Sequence, residues 1–156
     1  MIFSPSLAPL VANTGFLSMI AYAGNPVSLT IYGGTKPTAA QILASWSTYN
    51  SASANYLIHY QNSYWIAPGA STLLQINPTN KPNAAAAHSG VATWCIIWDT
   101  SHPAYNMSGT TPPSTSFCVG DVSGPTGPGI VRFEDTTCTA SALKAVLDSS
   151  ITLVMT

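Results

Sequence analysis

Ser89-Gly90-Val91-Ala92-Thr93-Trp94-Cys95-Ile96-Ile97-Trp98-Asp99-Thr100 is the stretch whose reading decides the fold. Val91 to Trp98 is dominated by β-branched and aromatic side chains, and Gly90 and Asp99 bound it. That length and composition fit a strand. A strand that is apolar on both alternating faces must be covered on both, as a central strand is. The pattern predicts Trp94, Ile96 and Trp98 on one face, Cys95 and Ile97 on the other, and all of them buried.

Working outward, Val27, Leu29 and Ile31 alternate with Ser28, Thr30 and Tyr32, which reads as a half-buried strand ended by Gly33-Gly34. Thr38 is placed to cap a short helix from Ala39 through Ile42 and Leu43. Residues 45 to 55 are small and polar and read as a loop. Tyr56 to Tyr60 and Ser63 to Ala67 read as two arms of a hairpin with Gln61 and Asn62 at its tip. On its first arm, Tyr56, Ile58 and Tyr60 share one face, and Leu57 and His59 the other. Pro68-Gly69 is a turn and Ser71 to Ile76 a short strand. Asn77 to Ser89 reads as a loop, or a loop with one helical turn.

Ala104 to Met107 can return alongside the central strand. Phe117 to Val122 is a strand, Gly124 to Gly129 a tight, stiff loop, and Ile130 to Phe133 β again. Residues 150 to 155 alternate, with Ile151, Leu153 and Met155 on one face. Ala140 to Asp148 fits helical and strand spacing equally. Phe16 to Ala23 can be a strand ended by Gly24-Asn25-Pro26. The expected fold is a single mainly β domain, an antiparallel β-sandwich over residues 16–156, preceded by an extended N-terminal arm over residues 1–15.

Only 6% of the 156 residues are charged, against about 25% in an ordinary globular chain, and the net charge is -1. Ser, Thr, Asn, Gly and Pro take the place of charge. Such a surface gives little mutual repulsion between copies and suits permanent contact with other protein. Lys36, Lys81, Arg132 and Lys144 are scattered, so neither a nucleic-acid footprint nor a polybasic membrane contact is expected. No uninterrupted apolar stretch reaches the roughly 20 residues of a spanning helix. Met1 to Tyr22 lacks Lys and Arg and is broken by Pro5, Pro9, Asn13 and Gly15, unlike a signal peptide. Folding or assembly in a cytoplasm is therefore expected, with Cys95, Cys118 and Cys138 mainly as thiols. Cys95, inside an apolar run, reads as a small buried hydrophobe.

The residues of hydrolytic chemistry are present but not arranged for it. There is no G-x-S-x-G elbow. Asp99 and His102 share a turn and read as loop residues. Glu134 and Asp135 are adjacent, so on a strand they point apart, and they read as a solvated loop. The cysteines lack zinc or redox spacing. No catalytic, cofactor-binding or metal-binding residues are therefore assigned. Aromatics are dense at Trp46, Tyr49, Tyr56, Tyr60, Tyr64 and Trp65, a composition that serves core, protein interface or sugar stacking. The expected interface residues are Ile2, Phe3, Leu7, Leu10 and Val11 on the arm, with Tyr56, Tyr60, Tyr64 and Trp65 on the domain.

Four segments together resemble small structural proteins of tailed-bacteriophage virions. In those, a glycine and a T-A-T-W-like strand lead into an aspartate turn, as in Ser89 to Thr100. A V-G-like block is matched by Val119-Gly120-Asp121. A closing block of hydroxyl residues and alternating apolars is matched by Thr136 to Leu153. Leu29 to Pro37 resembles their Y-x-G-x-x-P segment, with Tyr32, Gly34 and Pro37 in place. The chain departs from the pattern over residues 38–76, which are longer and richer in aromatics, and over Gly109 to Gly129, richer in proline. The resemblance implies a β-rich virion subunit, made in the host cytoplasm, whose partners are copies of itself and the major capsid protein or other virion proteins. It favours head decoration, or capsid cement, over a tail, baseplate or fibre position, and strand or loop over helix at 140–148. An aromatic-faced carbohydrate-binding module is the competing class, and an adhesin or pilin-like subunit a third.

Overall fold

The computed structural model describes residues 2–3, 27–63, 65–66, 73–76, 79, 81–98, 107–112 and 117–152. The strands are β1 (Ile2–Phe3), β2 (Val27–Gly33), β3 (Tyr56–Ser63), β4 (Trp65–Ile66), β5 (Leu73–Ile76) and β6 (Asn83–Ala85). They continue as β7 (Gly90–Trp98), β8 (Phe117–Ser123), β9 (Val131–Arg132), β10 (Thr137–Cys138), β11 (Leu143–Ala145) and β12 (Asp148–Thr152). One α-helix, α1 (Ala39–Ala44), and a 3-10 turn at Trp46–Thr48 follow β2.

The mainly β class is as expected. Among the described residues, the strands join in one ten-stranded path of order β3-β2-β7-β8-β9-β12-β5-β4, with β1 on β8 and β10 on β7, rather than in two facing sheets. The sheet is mixed, because β8 and β9 run parallel. Leu29 and Ile58 from one end of the path and Ile76 from the other share one buried cluster, so the sheet curls on itself as a partly open half-barrel. A small antiparallel pair, β6 with β11, lies beside β3.

β7 is the strand that the sequence announces. Its Trp94, Ile96 and Trp98 enter one buried cluster and its Cys95 and Ile97 another, on the opposite face. The inner cluster fills the curl with Leu29, Ile31, Cys118, Val131 and Phe133, among others. The outer cluster is roofed by Ala39, Ile42 and Trp46, with Met107. Both faces of β2 are therefore covered, and Ser28, Thr30 and Tyr32 are buried rather than solvated. Each polar atom there has a partner: Ser28 Oγ donates to the Gln61 carbonyl, and Tyr32 Oη to that of Tyr49 at 2.8 Å. Trp94 Nε1 donates to the Gly33 carbonyl, and its ring stacks on Tyr32 with centroids 4.2 Å apart.

Two expectations about residues 56–67 are corrected. β3 alternates up to its bulge: Ile58 faces Ile31, but Tyr56 faces Tyr32, so Leu57 is an extra residue. A bulge turns two successive side chains to one side. Leu57 and Ile58 both enter the inner core, while Tyr56 joins the outer one. The hairpin is also absent, since β3 pairs with β2 and β4 pairs with β5, Trp65 opposite Ile76. The segment 77–89 contains β6, and its partner β11 makes Leu143–Ala145, within the ambiguous 140–148, a strand rather than a helix. The helix forms as expected: Thr38 Oγ1 accepts from Gln41 N, and Gln41 Oε1 accepts from Thr38 N.

The β8–β9 connection is short for a parallel pair, which usually needs about a dozen residues or more. Here only Val122–Ser123 and Val131–Arg132 pair, so the return distance is small. Ile130 N donates to the Asp121 carbonyl and Gly129 N to Ser123 Oγ. A Cβ on Gly129 would lie 2.7 Å from the backbone nitrogen of Ser123, so only glycine fits there. This is the tight loop the sequence predicts.

Candidate functional site

Charge is scarce in this chain, and the structure ties up most of the described charged side chains in ion pairs or hydrogen bonds. Lys36 Nζ lies 2.7 Å from Asp121 Oδ2. Arg132 on β9 stands opposite Asp148 on β12 in register and pairs with its carboxylate. Lys144 donates to the Thr137 carbonyl at 2.8 Å and sits 5.8 Å from the centre of the Phe133 ring. Asp135 Oδ1 accepts from Thr137 N, which holds its carboxyl below the usual range. Among the described charged residues, Lys81 and Glu134 are left with neither an ion pair nor a hydrogen bond, and both are exposed.

Lys81 lies between two open clefts that it helps to line. One, of about 380 Å³, is walled by Ile76, Pro125 and Leu147 and floored by the Arg132–Asp148 pair. The other, of about 450 Å³, carries His59, Tyr60, Gln61 and Asn83. The groove therefore bears Lys81 and Arg132 against one carboxylate, a local charge of +1. Arg132 Nε is enclosed without an acceptor, while its Nη2 donates to Asp148. His59 is pushed down to about 4 by burial. Its Nδ1 lies 3.0 Å from Thr30 Oγ1, which also accepts from Trp98 Nε1.

The expected interface residues fall in three groups. Ile2 and Phe3 form β1 on the outer edge of β8, Ile2 opposite Val119 and Phe3 opposite Cys118. Leu7, Leu10, Val11 and Tyr64 lie outside the described residues, as do Asp99, His102, the strand expected at 16–23 and all but Met107, which is in a turn, of the segment expected at Ala104 to Met107. Trp65 is placed on β4. Tyr56 and Tyr60 are buried within the chain itself, at 7% and 2% exposure. Burial pushes the Tyr56 hydroxyl up to about 12, and Tyr60 Oη donates to the Lys144 carbonyl. Glu134 and Asp135 are exposed loop residues, as expected.

Cys95, Cys118 and Cys138 are buried free thiols. Desolvation raises Cys95 well above its ordinary value and Cys118 to about 12, which suppresses the nucleophilic thiolate. Among the described residues no group of three His, Cys, Asp or Glu side chains could hold a metal ion, and no helix is long and apolar enough to cross a membrane. The groove around Lys81 was not legible in the sequence. Lys81, Arg132 and Asp148 are far apart along the chain, and no local pattern marks them as neighbours. Comparison with known protein families, characterised proteins and solved structures gives no match for this chain.

Proposed function

We propose that this protein is a non-enzymatic structural subunit of a tailed-phage virion, with head decoration as the favoured position and a tail or baseplate role as the alternative. The observation that supports it is the surface. Both sheet faces are filled, and exposed positions such as Thr35, Ser47, Asn55, Thr93, Thr126 and Ser141 are hydroxyl or amide side chains without charge. A surface of that kind is finished by neighbouring protein rather than by a repelling charge shell. The resemblance of Leu29–Pro37 and Ser89–Thr100 to virion proteins supplies the particle. The competing glycan-binding reading draws on aromatics that could stack on sugar, and burial takes Tyr56 and Tyr60 out of that set.

The test is location. Immunogold labelling of purified particles is expected to decorate the head, and label confined to the tail tip would move the protein to the baseplate. Absence from particles, together with a stable monomer that binds no capsid, neck or tail preparation, overturns the proposal. A glycan screen of the wild-type protein separates the competitor: saturable binding to a cell-surface polymer would favour the module.

A further inference from the structure

We infer that the groove around Lys81 receives the Glu134–Asp135 loop of a second copy of this chain. The inference rests on the reading of the protein as an assembling subunit and specifies how its copies meet.

The argument begins from the charge inventory. The chain has four basic and five acidic side chains. Two ion pairs, Lys36–Asp121 and Arg132–Asp148, neutralise four of these nine groups within the chain. Lys144 is engaged by the Thr137 carbonyl and the Phe133 ring, and Asp135 by the Thr137 amide. Among the described residues this leaves one cation, Lys81, and one acid, Glu134, with no partner. Lys81 is set in a concave groove backed by a second cation, and Glu134 lies next to Asp135 on an exposed loop. A net positive concavity and a net negative exposed loop complement one another in charge.

Among the described residues Lys81 and Glu134 pair neither with each other nor with another charge, and a second copy offers each of them its complement. The contact joins unlike patches, which makes it directional. Such a contact repeats around a ring, or is made twice across a two-fold axis. Ile76, Pro125 and Leu147 give the groove apolar walls, and a carboxylate seated between them is screened less than one on flat surface. Arg132 remains bound to Asp148, and the exposed part of its guanidinium adds positive charge behind Lys81.

Charge exchange tests the inference with substitutions at exposed, unpartnered positions that leave the fold intact. Sedimentation of the wild type at low salt is expected to give an assembly that dissociates as sodium chloride is raised. Lys81→Glu and Glu134→Lys each put like charges together, and each is expected to raise the dissociation constant about tenfold. The double variant K81E/E134K restores an attractive pair and is expected to reassemble. Circular dichroism of every variant should match the wild type. A wild type that stays monomeric at low salt, a K81E protein that assembles as before, or a double variant no better than the single ones overturns the inference. Particle incorporation is scored separately, so a protein found in virions but insensitive to these exchanges would keep the proposed function and discard this contact.

Discussion

His59 carries the pH response of the fold. Burial lowers its folded value to about 4 from an ordinary 6.5, so the native state resists a proton that the unfolded chain accepts. Above pH 6.5 both states are neutral and the residue contributes no pH dependence. As pH falls from 6.5 toward 4 the unfolded state binds the proton first, and stability drops, by up to about 3 kcal/mol over the window. Urea melts at pH 7, 5.5 and 4 check this, with His59→Gln expected to flatten the profile. Tyr60 shares its cleft, and burial raises its hydroxyl, so it stays neutral across that range. Gly129 makes a second residue-scale prediction. Gly129→Ala forces a methyl into the Ser123 backbone and is expected to lower stability by about 1–3 kcal/mol, read as a fall in urea midpoint. The thiols make a third. Cys95 and Cys118 should resist alkylation in the native protein and react once it is denatured.

At the scale of elements, the helix and the central strand were readable and the pairing of edge strands was not. Thr38 and Gln41 lie three apart, which is the spacing at which a hydroxyl and an amide cap one another, and the helix begins there. Thr38→Ala is expected to cost about 1 kcal/mol, checked by chemical denaturation. β7 was readable because both of its faces are apolar, and a strand of that kind has no other place than between neighbours. β3 misled because strict alternation was assumed across Leu57, and nothing in Tyr56 to Tyr60 marks the inserted residue. The supposed hairpin failed for a related reason. Gln61-Asn62 is a plausible turn, but Ser28 Oγ donates to the Gln61 carbonyl and the strand continues along β2. β6 is built from Asn83, Ala84 and Ala85, residues of low strand propensity, and exists because β11 pairs with it. The candidate groove depends on β5, β9 and β12 converging, and that long-range register has no local signature.

At the scale of the whole molecule, a mostly aliphatic inner layer and an aromatic-rich outer layer lie on either side of one sheet, in place of the single core of a two-sheet sandwich. Trp94→Ala removes the ring that stacks on Tyr32 and lies edge-on to Tyr49. It should cost about 3–5 kcal/mol and expose the outer layer, measured by denaturation and by dye binding. Deleting residues 2–12 removes β1 and the expected arm, and is expected to weaken incorporation into particles while the domain remains folded.

The outer edge of β8 is divided between two strands, with β1 at Cys118 and Val119 and β9 at Val122 and Ser123. Ile2 and Phe3 leave the ribosome long before Cys118 and Val119 do. They have no strand to join until β8 has been made and has docked on β7. Closure of that edge is therefore a late event of biosynthesis, and a contact so distant along the chain closes slowly. Until then the edge of β8 stands open to the equivalent residues of any nearby nascent copy. Wherever many copies are translated at once, the order of translation thus sets a brief interval in which neighbouring chains can exchange β1.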